Sequence, residues 1–225
     1  MNNFKIIAFV LFSVFLTTKS YSQGHLSVHF GPAFPVMDFA SDDLDDKDSG
    51  GASVGLNVGL QYTYPLSENG LGLFGGIDVI YNGLKKDVKD EVEEMYESMG
   101  IINADYKFYK YLNIPLTAGL NYNYQADDKI GVFANAGLAL NFLKITDMEI
   151  EVNNQTVTTE IELANSIGFK IGGGILVNQK ISISIDYLGL GKHDINGKVK
   201  TTGYSEKVDG EGKVDLLTLT LGFKF

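Results

Sequence analysis

The sequence predicts an all-β fold: an eight-stranded antiparallel up-and-down transmembrane β-barrel, with short turns at one end and four long connections at the other. Three observations predict it. Eight segments alternate apolar and polar residues at period two, the pattern of a strand whose two faces meet different surroundings. Short and long connections alternate between them without exception. Beyond residue 22 no run approaches the ~20 apolar residues that a membrane helix needs. A chain that crosses a bilayer without such helices must do so as a closed barrel, in which every backbone N–H and C=O is paired.

The elements follow in order. Lys5 is the lone charge of a short leading region, Ile6 to Thr17 is an apolar run, and Ser20-Tyr21-Ser22 offers small residues before Gln23. This reads as a secretory signal peptide over residues 1–22, followed by one barrel domain over residues 23–225. The alternating segments span about 24–34, 52–64, 71–83, 109–124, 130–144, 164–177, 180–190 and 214–225. The second is the clearest, with Val54, Leu56, Val58, Leu60, Tyr62 and Tyr64 opposite Ser53, Gly55, Asn57, Gly59, Gln61 and Thr63. The fourth and sixth repeat it, and each segment is near the ~9–11 residues a tilted membrane strand needs. Residues 67–70, 126–129 and 178–180 are the short turns; about 35–51, 84–108, 145–163 and 191–213 are the long polar connections. Periplasmic turns are short and external loops long in membrane barrels, and an even strand count leaves both termini periplasmic.

The apolar face carries Leu, Val and Ile in mid-strand and aromatics near the ends, among them Tyr62, Tyr64, Tyr81, Tyr122, Tyr124 and Tyr187. This is expected to be a lipid-facing band with an interfacial aromatic girdle. The other face, rich in Gly, Ser, Thr and Asn, is expected to line the interior and reads as too polar for a ligand-binding barrel of the soluble type.

Two stretches carry a resemblance. In Val214 to Phe225, residues Leu217, Leu219, Leu221, Phe223 and Phe225 share one face, and the strand ends on an aromatic. It resembles the closing strand of outer-membrane β-barrels, which the barrel-assembly machinery reads. That resemblance implies Phe223 and Phe225 as assembly signal, with outer-membrane lipid and the assembly machinery as partners. The stretch Tyr111-Leu-Asn-Ile-Pro-Leu-Thr-Ala-Gly-Leu-Asn-Tyr122 resembles the "YLxIPL" strand of Bacteroidetes-type outer-membrane β-barrel proteins, often labelled porin-family or PorT-like. The likeness covers the whole mature chain in architecture, but only these two segments are motif-like. It implies fold and outer-membrane location, and supplies no substrate and no functional residues.

Composition removes several classes of function. With no Cys, disulfides and thiolate metal sites are excluded. All 18 basic residues are Lys, and removing residues 1–22, which carry Lys5 and Lys19, leaves 16 Lys against 28 acidic residues. An acidic chain without Arg does not suit nucleic acid.

The inward charges His29, Asp78, Lys170, Asp186 and Lys224 are the first site candidates. Eight strands leave an interior just filled by side chains, so these charges are expected to pair, Lys170 with Asp78 or Asp186, in a solid polar core rather than a solute path. The acidic run Asp42 to Gly50 lacks Glu at the twelfth position of a calcium loop counted from Asp43 or Asp45, and reads as a solvated loop. In the second long connection Val88, Val92, Met95 and Met99 recur at helical spacing before Gly100, which predicts a short amphipathic helix capping the barrel mouth. Asn154-Gln-Thr156 matches a glycosylation sequon. Of His25, His29 and His193, only His193 is expected near the outer surface, with Asp194 beside it and no Ser placed next to it by sequence. No catalytic residue, metal site or cofactor is assigned. The leading reading is a non-enzymatic structural or surface-interaction role, with a surface partner met through loops 35–51 and 84–108. The alternatives are a transport-class protein (a small-solute or hydrophobic-compound pore, or a PorT-like secretion accessory), a lipid-modifying barrel enzyme, and a secreted soluble barrel.

Overall fold

Period-two segments become strands here because one face can meet lipid while the other packs inward. The computed structural model describes residues 24–225 except 44, 45, 47, 153, 154 and 202. The signal-peptide reading of residues 1–22 and the sequon's Asn154 lie outside the described residues. In chain order the elements are β1 (His25–Pro35), a 3-10 turn (Met37–Ala40), β2 (Gly55–Pro65), β3 (Leu71–Asn82), α1 (Lys86–Ser98), β4 (Asp105–Lys107), β5 (Tyr111–Gln125), β6 (Ile130–Ile145), β7 (Met148–Val152), β8 (Gln155–Ile161), β9 (Ala164–Val177), β10 (Ile181–Thr201) and β11 (Tyr204–Lys224).

Eight of these close a ring in the order β1-β2-β3-β5-β6-β9-β10-β11, and β11 returns to β1. All neighbours are antiparallel, so the ring has no open edge. The three short turns fall where the alternation breaks, between β2 and β3, β5 and β6, and β9 and β10. The outer face is a continuous apolar band: Leu56, Leu138 and Ile167 are 67%, 70% and 76% exposed. Tyr62, Tyr64, Tyr122 and Tyr124 ring its lower margin beside the short turns. An apolar belt of this extent around a closed barrel is stable only against hydrocarbon.

Two of the four long connections are not loops. β10 and β11 run on together past the ring, from Lys192↔Lys213 to Thr201↔Tyr204, after a bulge between Gly189 and Lys192. The last pair joining β11 to the ring's first strand is Pro35↔Leu216, so above it β11 is no longer part of the closed ring. Residues 145–163 supply the hairpin β7–β8, and β8 joins β10 through Gly197↔Ile161 to Lys200↔Thr158. β4 then adds to β7, giving a five-stranded extension β11-β10-β8-β7-β4. Hydrophobic period two is weak in these strands. Tyr204 to Glu211 of β11 meet water on both faces. β7, β8 and upper β10 carry only a few covered apolar residues on one face, such as Ile150, Ile161 and Ile195, beside β-branched residues such as Thr156 to Thr159.

The predicted helix forms as α1, and Gly100 at φ 85° ends it, its N–H bonding Glu97 O. Only its first turn caps the barrel: Val88 is buried near Gly51 and Leu84, whereas Met99 is exposed.

Candidate functional site: the lumen and its outer mouth

The lumen has two storeys of different chemistry. The membrane storey is polar. His29 on β1, Asp78 on β3, Lys170 on β9 and Asp186 on β10 meet across it. His29 Nε2 lies 2.7 Å from Asp78 Oδ1. Lys170 Nζ lies 3.9 Å from Asp78 Oδ2 and 3.8 Å from Asp186 Oδ2. All four are buried, and Lys170 is shared between two carboxylates. Gly59 is required beside them, because a Cβ there would collide with both Asp78 Oδ1 and His29 Nε2. The cluster therefore ties four strands together from the inside, with the charges withdrawn from lipid and from bulk water. The void beside it is only about 40 Å³, room for ordered water and little else. Lys224 stands apart, half-buried at the periplasmic end with Ser27, Gln61 and Asn121 around a void of about 60 Å³.

Above this cluster the lining changes. Asn141 on β6 donates to Asn113 Oδ1 on β5 at 2.8 Å, and its amide nitrogen lies 3.0 Å from His193 Nε2. Ser166 Oγ lies 2.8 Å from the same His193 nitrogen and also contacts the Leu190 carbonyl. The placement of His193 in an outer loop is thus corrected: it is fully buried on β10, beyond the bulge, facing inward. Ser166, its neighbour, stands 27 residues earlier on another strand, and only the β6–β9–β10 pairing brings the two together. Asp194 points to the opposite, exposed face, as alternation demands.

The upper storey is apolar, which corrects the expectation of a uniformly polar interior. Leu188 and Leu190 on β10, Leu216 on β11, Ile80 on β3, and Ala33 and Ala139 are at most 2% exposed and form a floor. On that floor opens a pocket of about 220 Å³, walled by Phe39, Tyr109, Tyr111, Leu143, Ile145, Ile161, Ile195 and Val214, with Asp48, Glu211 and Lys213 at its rim. Phe39 and Tyr111 meet edge to face at 4.9 Å between ring centres, and Tyr109 meets Tyr111 at 5.5 Å. The Tyr111 hydroxyl donates to Gly50 O at 2.5 Å, fastening the first long loop over the mouth. Burial raises the Tyr109 phenol above its ordinary pKa, so it is neutral. Sequence reading missed this pocket because its residues come from the 3-10 turn, four ring strands, and segments taken as loops. A usable signal was the inward register of Leu188, Val214 and Leu216, which continues that of Asp186 and Thr218.

In the acidic loop, Lys85 Nζ pairs with Asp42 Oδ2 at 3.2 Å, which holds that carboxyl below its usual range. Among the described residues no cluster of three or more His, Asp or Glu side chains is arranged to hold a metal ion. Phe223 and Phe225 lie on the outer face at the periplasmic end, and the Phe225 N–H bonds Leu26 O.

No protein-family model matches the sequence, and no curated protein matches it. Solved structures do. Outer membrane protein OprG from Pseudomonas aeruginosa superposes with a TM-score of 0.50 at 14% identity, over 92% of this chain and 98% of that one. Neisserial surface protein A gives 0.47 at 14% identity, over 92% and 98%. A major outer membrane protein from Thermus thermophilus gives 0.47 at 14% identity, over 90% and 99%. At such identities the likeness to OprG is one of fold. With its lipid-facing band, the chain has the fold of the small antiparallel outer-membrane β-barrels.

Proposed function

We propose that this protein is a non-enzymatic outer-membrane barrel that holds an interaction surface outside the cell. The observation that carries the reading is the continuation of β10 and β11 beyond the ring, where they recruit β8, β7 and β4 into a sheet with no role in closing the barrel. The first long loop, residues 35–51, and residues 84–108, which bear α1 and supply β4 to the sheet, complete the surface offered to a partner. The lumen below supports anchoring rather than conduction, since the buried ion cluster and the leucine floor fill it. His193 supports structure rather than hydrolysis: among the described residues its side-chain partners are Ser166 and Asn141, and no carboxylate orients it as triad chemistry requires. Phe223 and Phe225 serve, in this reading, as the signal for barrel assembly.

Two measurements test it. Purified folded protein in planar bilayers should give a flat current trace; discrete conductance steps would overturn the anchoring role. Photo-crosslinking residues placed at Val208 and Tyr204 in native cells should yield a discrete protein or glycan adduct. The same adduct from lipid-facing Leu219, or none from either outer position, would overturn the interaction surface.

A further inference from the structure

We propose that the outer mouth pocket is a binding site for one small, uncharged aromatic molecule. Its size sets the first limit. A dry apolar cavity of roughly 150 Å³ accommodates benzene, so the space of about 220 Å³ here takes one substituted ring and not a polymer segment. The walls set the second. Phe39, Tyr111 and Tyr109 stand edge to face in a row, leaving ring faces and edges for a further aromatic partner at the usual offset geometries. Ile145, Ile161 and Ile195 supply the rest of the contact.

Charge sets the third limit. Lys213 is committed to Asp215 at 3.0 Å, and Glu211 is paired with Lys192. Asp48 therefore leaves the rim net negative, beside the acidic run that begins at Asp42. An anionic ligand would meet like charge there.

The pocket is also largely preformed, which lowers the entropic cost of binding. Phe39 is 2% exposed, and the Tyr111 hydroxyl is already fastened to Gly50 O. Leu143 and Val214 close the pocket's inner side and pack in one buried cluster with Leu188, Leu190 and Leu216, so the ligand binds and leaves by the same mouth. The site lies above the lipid band, so a membrane acyl chain would have to leave hydrocarbon to fill it.

The test uses the whole mature barrel in lipid nanodiscs with labelled Ile and Leu methyls, titrated with p-cresol and with 4-methylbenzoate. For p-cresol, saturable shifts should be confined to Leu143, Ile145, Ile161 and Ile195. The benzoate should bind weaker by about tenfold or more, the cost of one like-charge contact. Shifts that never saturate, or that appear equally at lipid-facing Leu219, would show partition into lipid and overturn the site. Equal binding of the benzoate would overturn the charge selection. Ile195→Trp and Ile161→Trp, each filling the space, should abolish saturation; unchanged p-cresol binding in both would place it elsewhere and overturn the assignment.

Discussion

β10 and β11 run through two solvents, and their lower and upper halves obey different rules. Within the bilayer, Ile183, Ile185, Leu217 and Leu219 face lipid while Ser184, Asp186, Thr218 and Thr220 face the lumen. Beyond the bulge at Gly189–Lys192 the same two strands carry Lys192, Asp194, Lys198 and Lys200 on β10 and Lys207, Asp209, Glu211 and Lys213 on β11, with Lys192↔Lys213, Asp194↔Glu211 and Lys198↔Lys207 directly paired. Backbone pairing is the same in both halves. What differs is what a misplaced charge costs. In the lower half a charge is held only inside and only with a partner, because desolvating it alone is expensive. In the upper half one face of β10 stays covered, with His193 and Gly197 buried. Water solvates the face that carries Lys192, Asp194 and Lys200, so a charge there needs no buried partner and mainly blunts an exposed sheet edge.

The comparison can be broken most severely at Lys170. Lys170→Ala leaves Asp78 and Asp186 buried without their shared cation and should destabilise the barrel by ~3–5 kcal/mol, read from urea unfolding in lipid vesicles. Lys200→Ala removes an exposed pair to Glu160 and should stay within about 0.5 kcal/mol in the same assay. Similar losses from both would mean that the lumen is wet enough to behave like a surface.

The lipid face is the next largest test. Leu219→Arg puts a cation near mid-bilayer and should cost ~2–4 kcal/mol, seen as a reduced fraction of folded, heat-modifiable barrel on gels. Val208→Arg, on the same strand outside the membrane, should change that fraction little. Equal effects would contradict the boundary drawn at the bulge.

A milder change sharpens the boundary from the other side. Replacing residues 195–210 by a two-residue turn removes the pairs that β10 makes with β8. Amide exchange protection should then be lost across β4, β7 and β8 while β1, β2 and β3 keep theirs, because the ring closes below the cut. Loss of protection in the ring strands would show that the sheet helps hold the barrel closed.

The smallest effect is a pH dependence confined to the outer sheet. Lys200 lies 2.6 Å from Glu160 and lowers its pKa in the folded state. A group depressed on folding stabilises above its unfolded pKa and loses that contribution as pH falls through the lowered folded value. Protection at the β8–β10 pairs, corrected for intrinsic exchange, should therefore weaken only below about pH 4.3, the ordinary glutamate value. A loss beginning near neutral pH would assign it to another group.

The ring was legible because lipid enforces period two. Val54 to Tyr64 and Leu112 to Tyr124 could only be strands with one apolar face, and each observed short turn sits where that alternation pauses. The four inward charges His29, Asp78, Lys170 and Asp186 were legible for the same reason: a charge on an alternating membrane strand has one tolerable side. The outer sheet was not read, since its alternation is short and thin in apolar residues: Met148, Ile150 and Val152 stand against Glu149 and Glu151, and Ile195 and Val199 against Asp194, Lys198 and Lys200. Gln155 to Ile161 and Tyr204 to Lys213 read as loops until their partners are known. The helix at Val88 was visible, but not that only its first turn would reach the barrel.

Solvent alternation along one chain thus settles which residues face lipid and which face inward, because each of these is a local property of a strand in a bilayer. Contacts between distant segments are a different matter. Ser166 and His193, Phe39 and Tyr111, and the floor formed by Leu190 with Leu216 arise from ring closure, register and one bulge. Each depends on how far strands slide past one another, and a shift of two residues would preserve every face while dissolving the pocket.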